Sequence, residues 1–192
     1  MPTNKEPVLK EKELSEDQQR YLPFGVENYV VYEPEFQQNN IKAVKVVIDV
    51  YEDGERLEEE SGTKLGIGLE KEEKEYINEL IFGLNELNHA GNDNKTDMEL
   101  YFHEAQAADE GERPFQYSTA STAFQLPFAW DEKVYTHLNE VPVDQNETSW
   151  MAIMQSGSSI SADWNEEKEL ERTIEQKEHV VVFGLRWSEE AL

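Results

Sequence analysis

The sequence predicts a mainly β protein, a two-layer antiparallel β-sandwich with one helix in the C-terminal half of the chain. Three observations support this fold class: short segments of alternating apolar and polar residues, turn residues between them, and one helical pattern over 163–177. Apolar residues at every second position predict strands with one buried face. About eight or nine strands at short spacing are typical of a sandwich.

The clearest local signal is a hairpin over Ile41–Leu57. The apolar residues on one side of its first arm are Val44, Val46, Ile48 and Val50. The pair Asp53-Gly54 follows, and such a pair between alternating arms is the strongest short-range hairpin signal. With this pair as the loop, we expect Tyr51 to face Arg56.

The same alternation predicts further strands. They cover 27–32, 63–69, 97–103, 115–128, 150–154 and 179–187. The first is expected to end before Pro34, and the last is apolar enough to lie in the middle of a sheet. Residues 75–87 fit both a helix stripe and a strand. We favour a strand, because Gly83 would weaken a helix by about 1 kcal/mol relative to alanine.

One helix is predicted over Asp163–Lys177, just before the last strand. Asp163 has a side chain that can cap a helix, and Glu166 and Glu167 would lie in the first turn, where the helix dipole favours acids. The sequence therefore predicts that this helix begins at Asp163.

Two parts are predicted along the chain. Residues 1–20 are charged and contain two prolines, with only three large apolar side chains after Met1. This composition indicates a flexible tether. Residues 21–192 are long enough for a single β-sandwich domain with a core of its own.

The charge of the chain is strongly negative. It has 42 acidic and 17 basic residues, a formal net charge of −25 at pH 7. Such a surface repels phosphate backbones, so we expect no nucleic-acid partner. The same charge favours a monomer or a weak dimer. It leaves an unknown protein, basic partners included, or a small ligand as the expected partner.

Two absences in the sequence narrow the chemistry. The chain has no cysteine, which excludes disulfides, thiol catalysis and iron–sulfur clusters. Its apolar runs are shorter than the ~18 residues that span a bilayer, so no transmembrane segment is expected.

No pattern nominates catalytic or metal-binding residues. His103-Glu104 begins the zinc-protease pattern H-E-x-x-H, but Ala107 stands where the second histidine is required. His179, at the start of the last strand, is expected to be a partly buried structural residue. We therefore predict a non-enzymatic protein without cofactor or metal. A carboxylate pair of a glycoside hydrolase stays an alternative, because 42 acids produce many accidental pairs.

The polar stretch 115–130, FQYSTASTAFQLPFAW, carries the candidate ligand-binding residues. They are Tyr117, Phe124, Phe128 and Trp130. Aromatic side chains in a polar segment could line a ligand groove. Core-facing positions on a strand explain Phe124 and Phe128 equally well.

Three segments of the chain resemble a known class of protein. They are the hairpin VKVVIDVYEDGERLEEE, the strand KLGIGL and a helix running into HVVVFGLRW. Over residues 41–70 and 165–188 the chain resembles small uncharacterised extracellular lipoprotein domains of Gram-positive bacteria. The resemblance implies a lipid anchor, a charged tether formed by residues 1–20, and a β-rich domain. This chain departs from it in having no lipid-bearing cysteine and no signal segment. The resemblance implies no catalytic residues.

The combined prediction is a non-enzymatic binding or interaction domain of a bacterial cell-surface lipoprotein, extracellular and anchored to the cell envelope. Two alternatives stay open. One is a carboxylate-dependent glycoside hydrolase, and the other is a cytoplasmic acidic protein that masks a basic partner.

Overall fold

The computed structural model describes residues 6–13, 28–35, 41–68, 76–87, 94–107, 116–144, 146–190 and 192. Within the strands, the side chains of residues 76–78, 104–107 and 116–119 lie outside this description.

The described residues form twelve strands and one helix. The strands are β1 (Val8–Glu11), β2 (Asn28–Glu35), β3 (Ala43–Glu52), β4 (Glu55–Arg56), β5 (Gly62–Gly68), β6 (Tyr76–Leu87), β7 (Thr96–Ala107), β8 (Gln116–Leu126), β9 (Lys133–His137), β10 (Glu140–Pro142), β11 (Ser149–Ser156) and β12 (His179–Ser188). The helix, α1, is Glu167–Gln176.

The strands pair in two antiparallel sheets of six strands. The first sheet has the order β10-β1-β2-β6-β7-β8. The second has the order β4-β3-β12-β11-β9, and β5 also pairs with β3. The predicted fold class, mainly β in two antiparallel layers with one late helix before the last strand, is confirmed.

The main core lies between the two sheets. Both contribute fully buried side chains, and the rings of Phe82 and Phe183 meet across the interface with centroids 5.6 Å apart. The hydroxyl of Tyr32, from the first sheet, donates to the carbonyl oxygen of Leu138 at 2.8 Å. Each large apolar side chain buried in this way contributes about 1.5–3 kcal/mol.

The predicted hairpin is confirmed in its register. Tyr51 pairs with Arg56, and both turn residues have positive φ, 49° at Asp53 and 85° at Gly54. A turn with two positive φ angles matches the twist of the flanking strands. On the face away from the core, the Arg56 guanidinium lies 2.7 Å from the Asp49 carboxylate.

Strand β12 lies between β3 and β11, in the middle of its sheet as predicted. One of its faces belongs to the main core, and the other contributes Val180 and Val182 to a second buried cluster with Ile153 and Trp164. Helix α1 covers this second cluster with half-buried side chains such as Leu170. No described helix is both long and apolar enough to cross a bilayer.

The tether predicted for residues 1–20 is wrong for Val8–Glu11. These residues form β1, which pairs with β2 on one side and with β10 on the other. Leu9 is fully buried in the main core, and Lys12 continues the attachment through an ion pair with the buried Glu79 at 2.6 Å. The composition of Val8–Glu11 is typical of a flexible tail, but the burial of Leu9 and strand pairing on both sides hold this segment in the sheet.

Two strand predictions have different outcomes. Residues 76–87 form strand β6, as favoured for 75–87, because β6 pairs with both β2 and β7. The first strand does not end before Pro34 but continues to Glu35. Its pairing with β6 covers Asn28–Tyr32, so Pro34 pairs with β1 alone, a place where a missing N–H is tolerated.

The helix begins four residues later than predicted. Its N-cap is Glu166, which makes no side-chain capping hydrogen bond. Asp163 instead lies in a preceding turn, in which its carbonyl oxygen accepts from the amide of Glu166 at 2.9 Å. Burial of Trp164 in the second cluster fixes this turn, so packing overrides the capping signal.

Strands β9 and β10 were not among the predicted strands. They are consecutive, yet β9 lies at the edge of the second sheet and β10 at the edge of the first. The chain crosses between the layers at Leu138 and Asn139. The Leu138 amide donates to the carbonyl of Met151 at 2.9 Å, and the Asn139 carbonyl accepts from the amide of Glu11 at 2.7 Å.

Candidate functional site

The first candidate site is the free edge of strand β8. Among the described strands, β8 is hydrogen-bonded to β7 alone, and β5 of the other sheet lies close to it without pairing with it. The surrounding stretch 115–130 contains no charged residue, although 31% of the chain is charged. A long edge strand without charge is an open template for another strand.

The other described edges carry the protection that natural sheets use. Strand β10 has three residues, including Glu140 and Pro142, and β9 has five, beginning with the charged Lys133. Strand β5 carries Lys64 and three glycines. Shortness, charge, proline and glycine all discourage strand addition, and described β8 has none of these features.

Over residues 120–126, where its side chains are described, the outer face of β8 is lined by small or polar side chains. Ser121, Ala123 and Gln125 are exposed, and they pair with Tyr101, Glu99 and Asp97 of β7. Because Ala123 is small, the Glu99 carboxylate of β7 is not screened by a bulky neighbour. Strand β8 therefore has no charged side chain, while carboxylates lie on the neighbouring strand β7.

Two of these acids are held by hydrogen bonds. The Gln125 amide donates to the Asp97 carboxylate at 2.7 Å. Hydrogen bonding to Glu99 raises the pKa of the Tyr101 phenol to about 12, with burial and the charge of Glu99 as further causes. Tyr101 is therefore neutral at physiological pH and fixes the position of the Glu99 carboxylate.

The structure does not gather the four predicted aromatic residues into one groove. Tyr117 lies on β8, and its side chain is outside the described ones. Phe124 packs against the main core, half-buried, with the Lys64 ammonium 5.9 Å from its ring centroid. Phe128 is buried in that core and 4% exposed, so it cannot line an open groove.

Phe128 and Trp130 do come together, around His179. The Phe128 ring stacks on the imidazole with centroids 3.9 Å apart, and the Trp130 ring meets Phe128 edge-on at 5.1 Å. Nε2 of His179 lies 3.3 Å from a carboxylate oxygen of Glu52. His179 is 7% exposed, so it is buried more deeply than the partly buried histidine that the sequence predicts.

The second candidate site is a cleft of about 470 Å³ on the opposite side of the sandwich from β8. It lies between the crossover from β9 to β10 and the segment before α1. Its walls are Thr136, His137, Leu138, Asn139, Glu140, Ile160, Ser161, Ala162, Trp164 and Asn165. No spacing pattern in the sequence pointed to these residues, because two segments distant in the chain supply them.

The cleft has an apolar part and a polar part. Its apolar part is formed by Trp164 of the second buried cluster and by Leu138 and Ile160, which pack against that cluster. The amide side chains of Asn139 and Asn165 make no hydrogen bond to the described part of the chain. They are therefore available to a ligand or to water.

The charged groups at the cleft are partly engaged. Nε2 of His137 lies 3.0 Å from a carboxylate oxygen of Glu11, and Glu140 lies 4.0 Å from the Lys10 ammonium. Glu140 is the one carboxylate among the residues that line the cleft. A two-carboxylate hydrolase requires a second acid within ~5–10 Å, and none lines this cleft.

Among the described residues, no three His, Asp or Glu side chains are placed to hold a metal ion. His103 lies on β7 and is buried, which lowers the pKa of its imidazole. Its position in a strand differs from the helix that the H-E-x-x-H chemistry requires.

Comparison with protein-family models, with curated proteins and with solved structures finds no match to this chain.

Proposed function

We propose that this chain is a non-enzymatic binding domain of a bacterial cell-surface lipoprotein, and that it binds an extended segment of a partner protein along strand β8. The observation that carries the proposal is the free, uncharged, eleven-residue edge of β8. Addition of a strand to such an edge supplies affinity through backbone hydrogen bonds, while alternate side chains give specificity.

Charge complementarity selects a basic segment as the partner. Strands in a sheet lie about 4.8 Å apart, so an added strand would lie about 10 Å from β7. Lysine and arginine side chains are long enough to pass over Ala123 toward the Glu99 carboxylate. The net charge of −25 favours a basic partner and opposes a second copy of this chain.

The cell-surface location rests on the resemblance over residues 41–70 and 165–188. Fractionation of cells that carry the native gene tests it, with an antibody against the folded domain. We expect the protein in the envelope fraction and accessible to added protease. Recovery in the cytosol alone would contradict the location while leaving the β8 proposal open.

The strand-addition proposal is tested with a fluorescent nine-residue peptide in which lysine alternates with valine. Glu99→Gln removes the carboxylate opposite Ala123, and we expect about two- to fivefold weaker binding, the effect of one exposed ion pair. The matched control is Glu171→Gln on the exposed face of α1, which changes the net charge equally. Fluorescence anisotropy at physiological salt measures both.

A second pair of variants separates edge binding from general attraction. Ser121→Lys places a cation on the proposed path of the peptide side chains, and Ser121→Glu places an anion there. We expect the lysine variant to weaken peptide binding and the glutamate variant to strengthen it. If Glu99→Gln and Glu171→Gln have equal effects, or if Ser121→Lys has none, the peptide does not bind along β8.

A further inference from the structure

From the cleft between the β9–β10 crossover and residues 160–165, we infer a second binding site, for a small neutral polyhydroxylated molecule such as a mono- or disaccharide. This site is independent of the β8 edge, because β9 and β10 lie at the sheet edges opposite to β8 and β5.

The size and the mixed lining of the cleft suit a small ligand. Its volume of about 470 Å³ lies within the range of small-molecule pockets, roughly 300–1,000 Å³. Leu138 and Ile160 offer an apolar surface for the C–H groups of a sugar ring. The surrounding polar groups converge on the same space, which is the usual composition of a specific pocket.

The polar groups of the cleft match hydroxyl groups better than ions. The side-chain amides of Asn139 and Asn165 each offer donors and an acceptor, and the hydroxyl of Thr136 offers both roles. A ligand hydroxyl also donates and accepts, so each can pair in either direction. These three side chains make no hydrogen bond to the described part of the chain, so binding breaks no existing protein pair.

Other ligand classes fit less well. An anion would meet Glu140 and a protein of net charge −25. A metal ion lacks a set of three ligating side chains among the described residues. A wholly apolar ligand would desolvate the two asparagine amides without pairing them, at a cost of about 1–3 kcal/mol for each group.

The test is a nuclear magnetic resonance titration of the whole chain, labelled with nitrogen-15. The probes are glucose, galactose, mannose, N-acetylglucosamine and cellobiose, each raised to tens of millimolar. We expect at least one sugar to shift the backbone amides of residues 136–140 and 160–165. Methylammonium chloride, added separately, tests for a cation site at Glu140.

Variants locate the binding. Asn139 and Asn165 are exposed, so alanine at either position is expected to keep the fold, which the remaining resonances verify. Each change should raise the dissociation constant of the responding sugar about two- to tenfold, the loss of one hydrogen bond. The control is Asn146→Ala, an exposed asparagine outside the cleft, which should leave the constant unchanged.

Three outcomes would overturn the inference. They are the absence of cleft shifts with every sugar, sugar shifts that persist unchanged in Asn139→Ala and Asn165→Ala, and cleft shifts with methylammonium alone. None of them bears on binding at β8.

Discussion

Gly184 allows two neighbouring side chains to pack closely against the backbone of β12. It lies on β12, where an added Cβ would be 2.5 Å from Cγ2 of Thr148 and 2.7 Å from Cε3 of Trp150. Real Cβ contacts are longer, so a side chain at this position would require its neighbours to shift. A glycine inside a strand indicates a close approach, but the sequence does not say to which residue.

Gly184→Ala is therefore expected to destabilise the fold by about 1–3 kcal/mol, the usual cost of overpacking. Gly68→Ala is the matched control, since an added Cβ there has no neighbour within 4 Å. Equilibrium unfolding in urea measures both free energies. Equal stability of the two variants would mean that the backbone at Gly184 relaxes without cost.

The aromatic candidates show the limit of residue-level prediction. Phe128 and Trp130 were expected from their aromatic character, but their contact with His179 joins positions some fifty residues apart in sequence. Only the packing of the two sheets against each other brings these side chains together. The sequence suggests which residue types could bind a ligand. It does not show that Phe128 is buried in the core.

Strong local signals predicted some elements well. The Asp53-Gly54 turn and the alternation of β3 determined the hairpin register without tertiary information. Strand β1 is the opposite case, because four residues with two apolar side chains carry almost no periodicity. Its formation depends on β2 and β10, which are supplied by distant parts of the chain.

Leu9→Ala tests whether β1 is part of the folded domain. Leu9 is fully buried, so we expect a loss of about 2–5 kcal/mol in the free energy of unfolding. Val8→Ala, at a half-buried position next to it, should cost clearly less. A flexible tether would make both substitutions neutral, and urea unfolding distinguishes these results.

The candidate sites depend on sheet order, which the sequence alone did not give. Residues 115–128 were predicted as a strand, but only the order of the first sheet makes β8 an edge. The cleft arises where residues 136–140 meet residues 160–165, two polar segments that carry no motif. Both sites are therefore properties of topology more than of local pattern.

The acidity of the chain should make its stability depend on salt. At a net charge of −25 the folded state repels itself, and ions at about 0.1 M screen charges beyond ~10 Å. We expect the melting temperature to rise with sodium chloride, by about 2–4 °C for each kcal/mol gained. Differential scanning calorimetry over a salt series measures this rise.

A variant with Glu167, Glu171 and Glu175 of α1 changed to glutamine provides the comparison. With three fewer negative charges, it should melt higher at low salt and respond less to added salt. A melting temperature that does not change with salt in the native chain would show that its acids are too dispersed to repel one another.

The pairing of β3 with β12 also determines when the protein can fold during its synthesis. Ala43 pairs with Ser188 and Glu52 with His179, so β12 leaves the ribosome roughly 7–30 s after β3 at about 5–20 residues per second. Throughout that interval the apolar face of β3 lacks its central neighbour. The second sheet must therefore assemble late, and the nascent chain exposes a hydrophobic strand that the acidic residues around it help to keep from aggregating.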